Sequence, residues 1–185
     1  MSQRTKGETR RTRAACAVFV AVMSAACSSR VIDGHDSWTK GLDTARAAVA
    51  AGEPDAAARA WREAYSAAVR TRRWEPMLAV GDAALEVGRA AGTAPDSQQQ
   101  ARQSYLQAVI IAEQQRSLDG VLRSAEAFAR IGDRAVVEQT FAIARRLAGA
   151  RADAVARVTA VEISLTSDLR AAEAGTPALH ELLTP

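Results

Sequence analysis

Residues 121–144, VLRSAEAFARIGDRAVVEQTFAIA, hold two amphipathic runs hinged at Ile131-Gly132-Asp133, and their reading decides the fold. In the first run Val121, Leu122, Ala125 and Phe128 recur at helical spacing; in the second Val136, Val137, Thr140, Phe141 and Ala144 do the same. Each run therefore has one apolar face that it cannot bury alone. Gly132 can take the left-handed conformation that ends a helix, and Asp133 can accept the free amides that open the next. The two runs are expected to close into an antiparallel helical hairpin. Small Ala125 and Ala144 allow close approach, and Phe128 and Phe141 fill the space between them.

Within that hairpin the order Ala125, Gly132, Val137, Phe141, Ala144 defines a frame of small, glycine, apolar, aromatic and small residues. The same frame fits Ala45, Gly52, Ala57, Trp61 and Ala64, and Ala101, Tyr105 and Ala108 repeat its second half. The pattern resembles the tetratricopeptide repeat. That resemblance implies an all-α fold of antiparallel helical hairpins, stacked as a right-handed superhelix with a C-terminal capping helix.

Working outward, the first hairpin is expected over about Ser37 to Ala50 and Pro54 to Thr71, with Pro54 in a first helical turn where its missing amide costs nothing. Arg70, Arg72 and Arg73 end that second helix, where positive charge suits the helix dipole. The second hairpin is expected over about Glu75 to Ala91 and Ser97 to Arg116, across a loop Gly92-Thr93-Ala94-Pro95-Asp96 that is longer than a tight repeat turn. A third starts near Leu118 and continues to about Leu147. One more helix, about Arg151 to Ala172, carries Val155, Val158, Val161, Ile163, Leu165 and Leu169. After the break at Gly175-Thr176-Pro177, Ala178 to Leu183 remains for a short capping helix.

The beginning of the chain differs in kind. Arg4, Lys6, Arg10, Arg11 and Arg13 stand against a lone Glu8, and Ala14 to Ala26 has no charge at all. This is the layout of a secretory signal peptide over residues 1–26. Its apolar run is too short to span a bilayer, which takes about 20 residues. The segment ends Ser24-Ala25-Ala26-Cys27-Ser28-Ser29, which resembles the lipobox of bacterial lipoproteins, with Ser24 where that pattern usually has an aliphatic residue. The resemblance implies lipid attachment at Cys27. Residues 27–36 then read as a flexible tether, and 37–185 as the repeat domain. Ser28 in place of Asp after the cysteine leans towards the outer membrane, facing the periplasm, if the organism has one.

The whole chain carries a formal charge of +3, but residues 1–26 supply five basic residues and one acidic, leaving 19 basic and 20 acidic. The basic balance is an export feature, which removes the main support for nucleic-acid binding. Both cysteines, Cys16 and Cys27, lie in or at the end of the export segment, so no disulfide is expected. His35 and His180 are the two histidines, and neither falls in a cluster with metal-ligand spacing. No Gly-rich phosphate loop or nucleophile elbow is visible, and Ser104 has no recognisable base partner. No catalytic residue, metal or cofactor is expected, and the chain is not read as an enzyme.

Binding is what the architecture offers. The repeat's groove-facing positions, carried onto this chain, are Leu42, Asp43, Arg46 and Val49 in the first hairpin and Leu122, Arg123, Glu126 and Arg130 in the third. The subtype that clamps a C-terminal carboxylate uses Lys and Asn, whereas this chain has no Asn and, after the export segment, Lys40 alone. The expectation is a cell-envelope lipoprotein serving as an interaction or assembly scaffold. Its partner is a peptide or helix of another protein, and it contacts the membrane through its lipid. The alternative is a structural helical bundle that self-associates as a homo-oligomer without a peptide groove.

Overall fold

The computed structural model describes residues 37–175, all of them in helices or the short turns between helices. Residues 37–50 form α1, followed by α2 (Pro54–Thr71), α3 (Trp74–Ala91), α4 (Ala94–Gln114), α5 (Leu118–Arg130), α6 (Arg134–Ala148) and α7 (Ala152–Gly175). The fold is all-α. Cys16, Cys27, His35 and the capping segment Ala178 to Leu183 lie outside the described residues.

The residues expected to bound the first and third hairpins do so. Pro54 opens α2. Gly132, at φ +75°, takes the left-handed conformation that turns α5 into α6. Asp133 Oδ1 accepts the Val136 amide at 3.4 Å, and Ser117 Oγ accepts the Gly120 amide at 3.1 Å to open α5. Two or three residues join each helix to the next, and consecutive helices from α2 to α7 lie against one another, so neighbours run antiparallel. Gly41 of α1 sits on Ala64 of α2, where an added Cβ would meet the alanine methyl at 2.9 Å.

The second hairpin corrects one expectation. Its turn is Gly92-Thr93 alone, and Ala94-Pro95-Asp96 already belong to α4. The extra residues that looked like a loop insertion are one more turn of helix. From Gly52 to Ala57 and from Gly132 to Val137 is five positions, whereas from Gly92 to Ala101 is nine. A difference of four is close to one α-helical turn of about 3.6 residues, so Ala101, Tyr105 and Ala108 keep the face their counterparts have. Gly88 makes room for the added turn: a Cβ there would lie 2.0 Å from Ser97 Oγ.

Every non-glycine residue of the repeated frame is buried: Ala45, Ala57, Trp61 and Ala64 in the first hairpin, Ala101, Tyr105 and Ala108 in the second, Ala125, Val137, Phe141 and Ala144 in the third. The core runs through all three and ends on Ala154 and Val158 of α7. Its joints are specific. The Trp61 indole N–H of α2 donates to the Val80 carbonyl of α3 at 2.8 Å, fastening the first hairpin to the second. Tyr105 of α4 and Phe128 of α5 meet edge to face, 5.7 Å between centroids, at the joint of second and third.

From α2 to α7, no helix touches another more than two places along the chain. Contacts of α3 with α5, α5 with α7 and α4 with α6 separate two layers. Four ion pairs follow the same division, while Arg145–Glu162 joins α6 of one layer to α7 of the other. Arg46–Glu86 links α1 to α3, Arg130–Asp82 links α5 to α3, and Arg157–Asp119 links α7 to α5. On the other side Arg146–Glu113 joins α6 to α4. Among the described residues no helix is long and apolar enough to cross a membrane.

Candidate binding groove

The odd-numbered helices share one face of the molecule, and two clefts lie on it side by side. The first, about 250 Å³, lies between α3 and α5 and is lined by Trp74, Glu75, Leu78, Ala79, Asp82, Arg123, Glu126 and Arg130. The second, about 230 Å³, lies between α5 and α7 and is lined by Glu126, Ala129, Arg130, Leu165, Asp168 and Leu169. Glu126 and Arg130 border both, so the clefts form one groove that crosses α5. Trp74, Leu78, Ala79, Ala129, Leu165 and Leu169 are its apolar surface, and each is half-buried.

Helical spacing explains why α5 supplies its centre. Glu126 and Arg130 stand one turn apart on the same side as Arg123, while Leu122, Ala125 and Phe128 turn inward. Three of the four groove positions expected in the third hairpin, Arg123, Glu126 and Arg130, therefore line the clefts. Leu122 is 1% exposed and belongs to the core, and Leu42 in α1 is 2% exposed and does likewise. Neither can touch a guest unless the hairpins open. Asp43 and Arg46 are exposed and Val49 is half-buried, but none of the three borders either cleft.

The contribution of α3 and α7 is hidden in the sequence to different degrees. Asp82 and Glu86 sit forty positions after Leu42 and Arg46, so extending the frame by one hairpin reaches them. Leu78, Leu165 and Leu169 carry no such signal. Each belongs to an apolar run that reads as core, and the neighbouring helix alone decides which side is left uncovered.

The centre of the groove is held by one carboxylate. Asp82 Oδ1 accepts the Tyr105 hydroxyl at 2.6 Å and Arg130 Nη2 at 2.5 Å, so a single oxygen ties α3 to α4 and to α5. Burial, and then the bond to Asp82, raises the Tyr105 phenol above its ordinary pKa, which keeps it a donor. For Arg130 burial works towards a lower pKa, but the charge and hydrogen bond of Asp82 outweigh it and the net shift is upward. The guanidinium is thus fixed in charge and in place. Arg123 leans on Asp119 at 3.5 Å, and Arg46 on Glu86 at 3.2 Å. Half-exposed pairs like these contribute little to stability, on the order of 0–1 kcal/mol each, but they set where the side chains lie.

The acidic side of the balance is less well matched. The clefts are bordered by four carboxylates, Glu75, Asp82, Glu126 and Asp168, against the two guanidiniums of Arg123 and Arg130. Glu75 Oε1 accepts from Arg73 Nη2 at 2.8 Å, while its Oε2 is buried without a hydrogen-bond partner. Glu126 and Asp168 take part in none of the ion pairs formed among the described residues. Nor do those residues contain a cluster of His, Cys, Asp or Glu able to hold a metal ion.

No protein-family model matches the chain, and neither a curated protein nor a solved structure is detectably similar to it.

Proposed function

We propose that this chain is a tetratricopeptide-like scaffold of the cell envelope that holds a peptide or helix of a partner protein in the groove across α3, α5 and α7. In this reading the three hairpins stack as in that repeat, with the odd helices forming the concave layer. The observation that carries it is the continuity of two apolar-walled clefts across Glu126 and Arg130, on the layer where such repeats take their guests. The proposed role is binding, with no catalytic step assigned to any residue.

A photo-activated crosslinker at position 126 of the full chain, in the membrane of its own host, is expected to capture a partner polypeptide. The same group at Gln139, exposed on α6 in the other layer, is expected to capture far less. Equal yields from both positions would overturn the groove reading. Adducts of this chain with itself alone would favour the second reading, self-association without a guest. The feature that speaks for that second reading is α7, where Val155 is 44% and Ile163 is 65% exposed.

The proposed address, export by residues 1–26 and lipid anchoring at Cys27, has its own test. Mass spectrometry of the mature protein is expected to find Cys27 as the first residue, carrying acyl chains. An unmodified terminus, or one that starts elsewhere, would remove the anchor from the proposal.

A further inference from the structure

The geometry points to a cationic amphipathic segment as the guest: a helix or strand whose apolar side meets Leu78, Ala129, Leu165 and Leu169 and whose Lys or Arg side chains reach Glu126, Asp168 and Glu75. This inference rests on the groove reading above and deepens it. Three observations separate it from a guest of any other charge.

The first is commitment. Both arginines of the groove are already engaged, Arg130 with Asp82 and Arg123 with Asp119, so much of the positive charge an acidic guest would seek is already offset within the chain. The second is availability. Glu126 and Asp168 border the α5–α7 cleft and pair with nothing among the described residues, so a cationic guest meets them without breaking a contact. The third is the Glu75 Oε2 atom in the wall of the α3–α5 cleft, buried and lacking a donor. An acceptor held away from water with no partner is costly, and a turn of the part-exposed Glu75 carboxylate that presents Oε2 to an arriving N–H donor removes that cost.

The three carboxylates lie on three different helices, Glu75 on α3, Glu126 on α5 and Asp168 on α7. A guest lying across the odd layer passes each in turn. Complementary charge at the rim sets orientation and partner choice, while the apolar surface between supplies most of the affinity.

Fluorescence anisotropy on the full chain tests this with labelled peptides. One is an amphipathic helix of Leu and Lys, the second has Glu in place of Lys, and the third has the Lys peptide's composition in scrambled order. The Lys peptide is expected to bind at least tenfold tighter than either of the others. Combining Glu126→Gln with Asp168→Asn is expected to weaken it about tenfold, whereas Glu138→Gln, on exposed α6 surface, leaves it unchanged. Ala129→Trp, which fills the α5–α7 cleft, is expected to weaken the Lys peptide as well.

If the Lys and Glu peptides bind equally and both are weakened by Ala129→Trp, the groove stands and the cationic guest is wrong. If the scrambled peptide binds as tightly as the amphipathic one, the attraction is non-specific charge and the inference is overturned. Binding of no peptide also overturns it, and crosslinking from position 126 then decides separately whether the groove is used at all.

Discussion

Phe128→Ala is expected to lower the free energy of unfolding by about 4 kcal/mol, the middle of the range for emptying a buried phenylalanine site. The ring is 0% exposed, so its removal leaves a cavity that the surrounding helices can close only in part. It also ends the edge-to-face contact with Tyr105, which adds on the order of 1 kcal/mol beyond burial. What makes the loss large for this fold is its place. In a succession of hairpins each unit is stabilised by the next, and Phe128 sits at the joint of the second and third. Domains of this size hold about 5–15 kcal/mol in total. Urea titration followed by circular dichroism is expected to show a much lower midpoint and a broadened transition as the third hairpin and α7 loosen first. An unfolding free energy within about 0.5 kcal/mol of the parent's would mean the joint is held by other contacts.

How much of this is legible in the chain differs between elements. The hairpin of residues 121–144 can be read almost to the residue, because its breaks are chemical: Gly132 adopts positive φ and Asp133 caps α6. Pro54 fixes the start of α2 in the same way. The start of α4 cannot be read, because Pro95 is compatible both with a loop and with a first helical turn. The choice is made by Gly88, a residue of the preceding helix whose missing side chain lets Ser97 come close. That is a tertiary cause, invisible to a local pattern.

The groove divides along the same line. Arg123, Glu126 and Arg130 are charged residues on the polar side of an amphipathic helix, and their exposure follows from period alone. The repeat frame puts Leu42 and Leu122 at the groove, yet they are core. A frame gives the angle around the helix to within one position, and one position is about 100°. The frame reaches Asp82 only as a position on α3 and says nothing of its role. Asp82 is a lone carboxylate in the apolar run of α3, and its importance comes from Tyr105 and Arg130, which are distant in sequence and converge on one oxygen.

That convergence sets up the second large effect. Gly81→Ala is expected to destabilise the protein by about 2 kcal/mol even though it replaces glycine inside a helix, where alanine is ordinarily favoured by about 1 kcal/mol. A Cβ at Gly81 would lie 2.3 Å from Tyr105 Cε1 and 2.7 Å from its Cδ1. The ring cannot swing aside, since it is fully buried against Phe128 and its hydroxyl is bound to Asp82. Overpacking of this kind costs roughly 1–3 kcal/mol, and a displaced Tyr105 also loses its hydrogen bond to a charged acceptor, worth about 1.5–3 kcal/mol. A double-mutant cycle isolates the cause. In a Tyr105→Leu background, where the ring edge is gone, Gly81→Ala should become neutral or stabilising as helix propensity reasserts itself. If Gly81→Ala costs as much in that background as in the parent, the ring is not what Gly81 accommodates. Were Gly81→Ala to raise the melting temperature of the parent, α3 and α4 would have to lie farther apart than the 2.6 Å bond from Tyr105 to Asp82 allows.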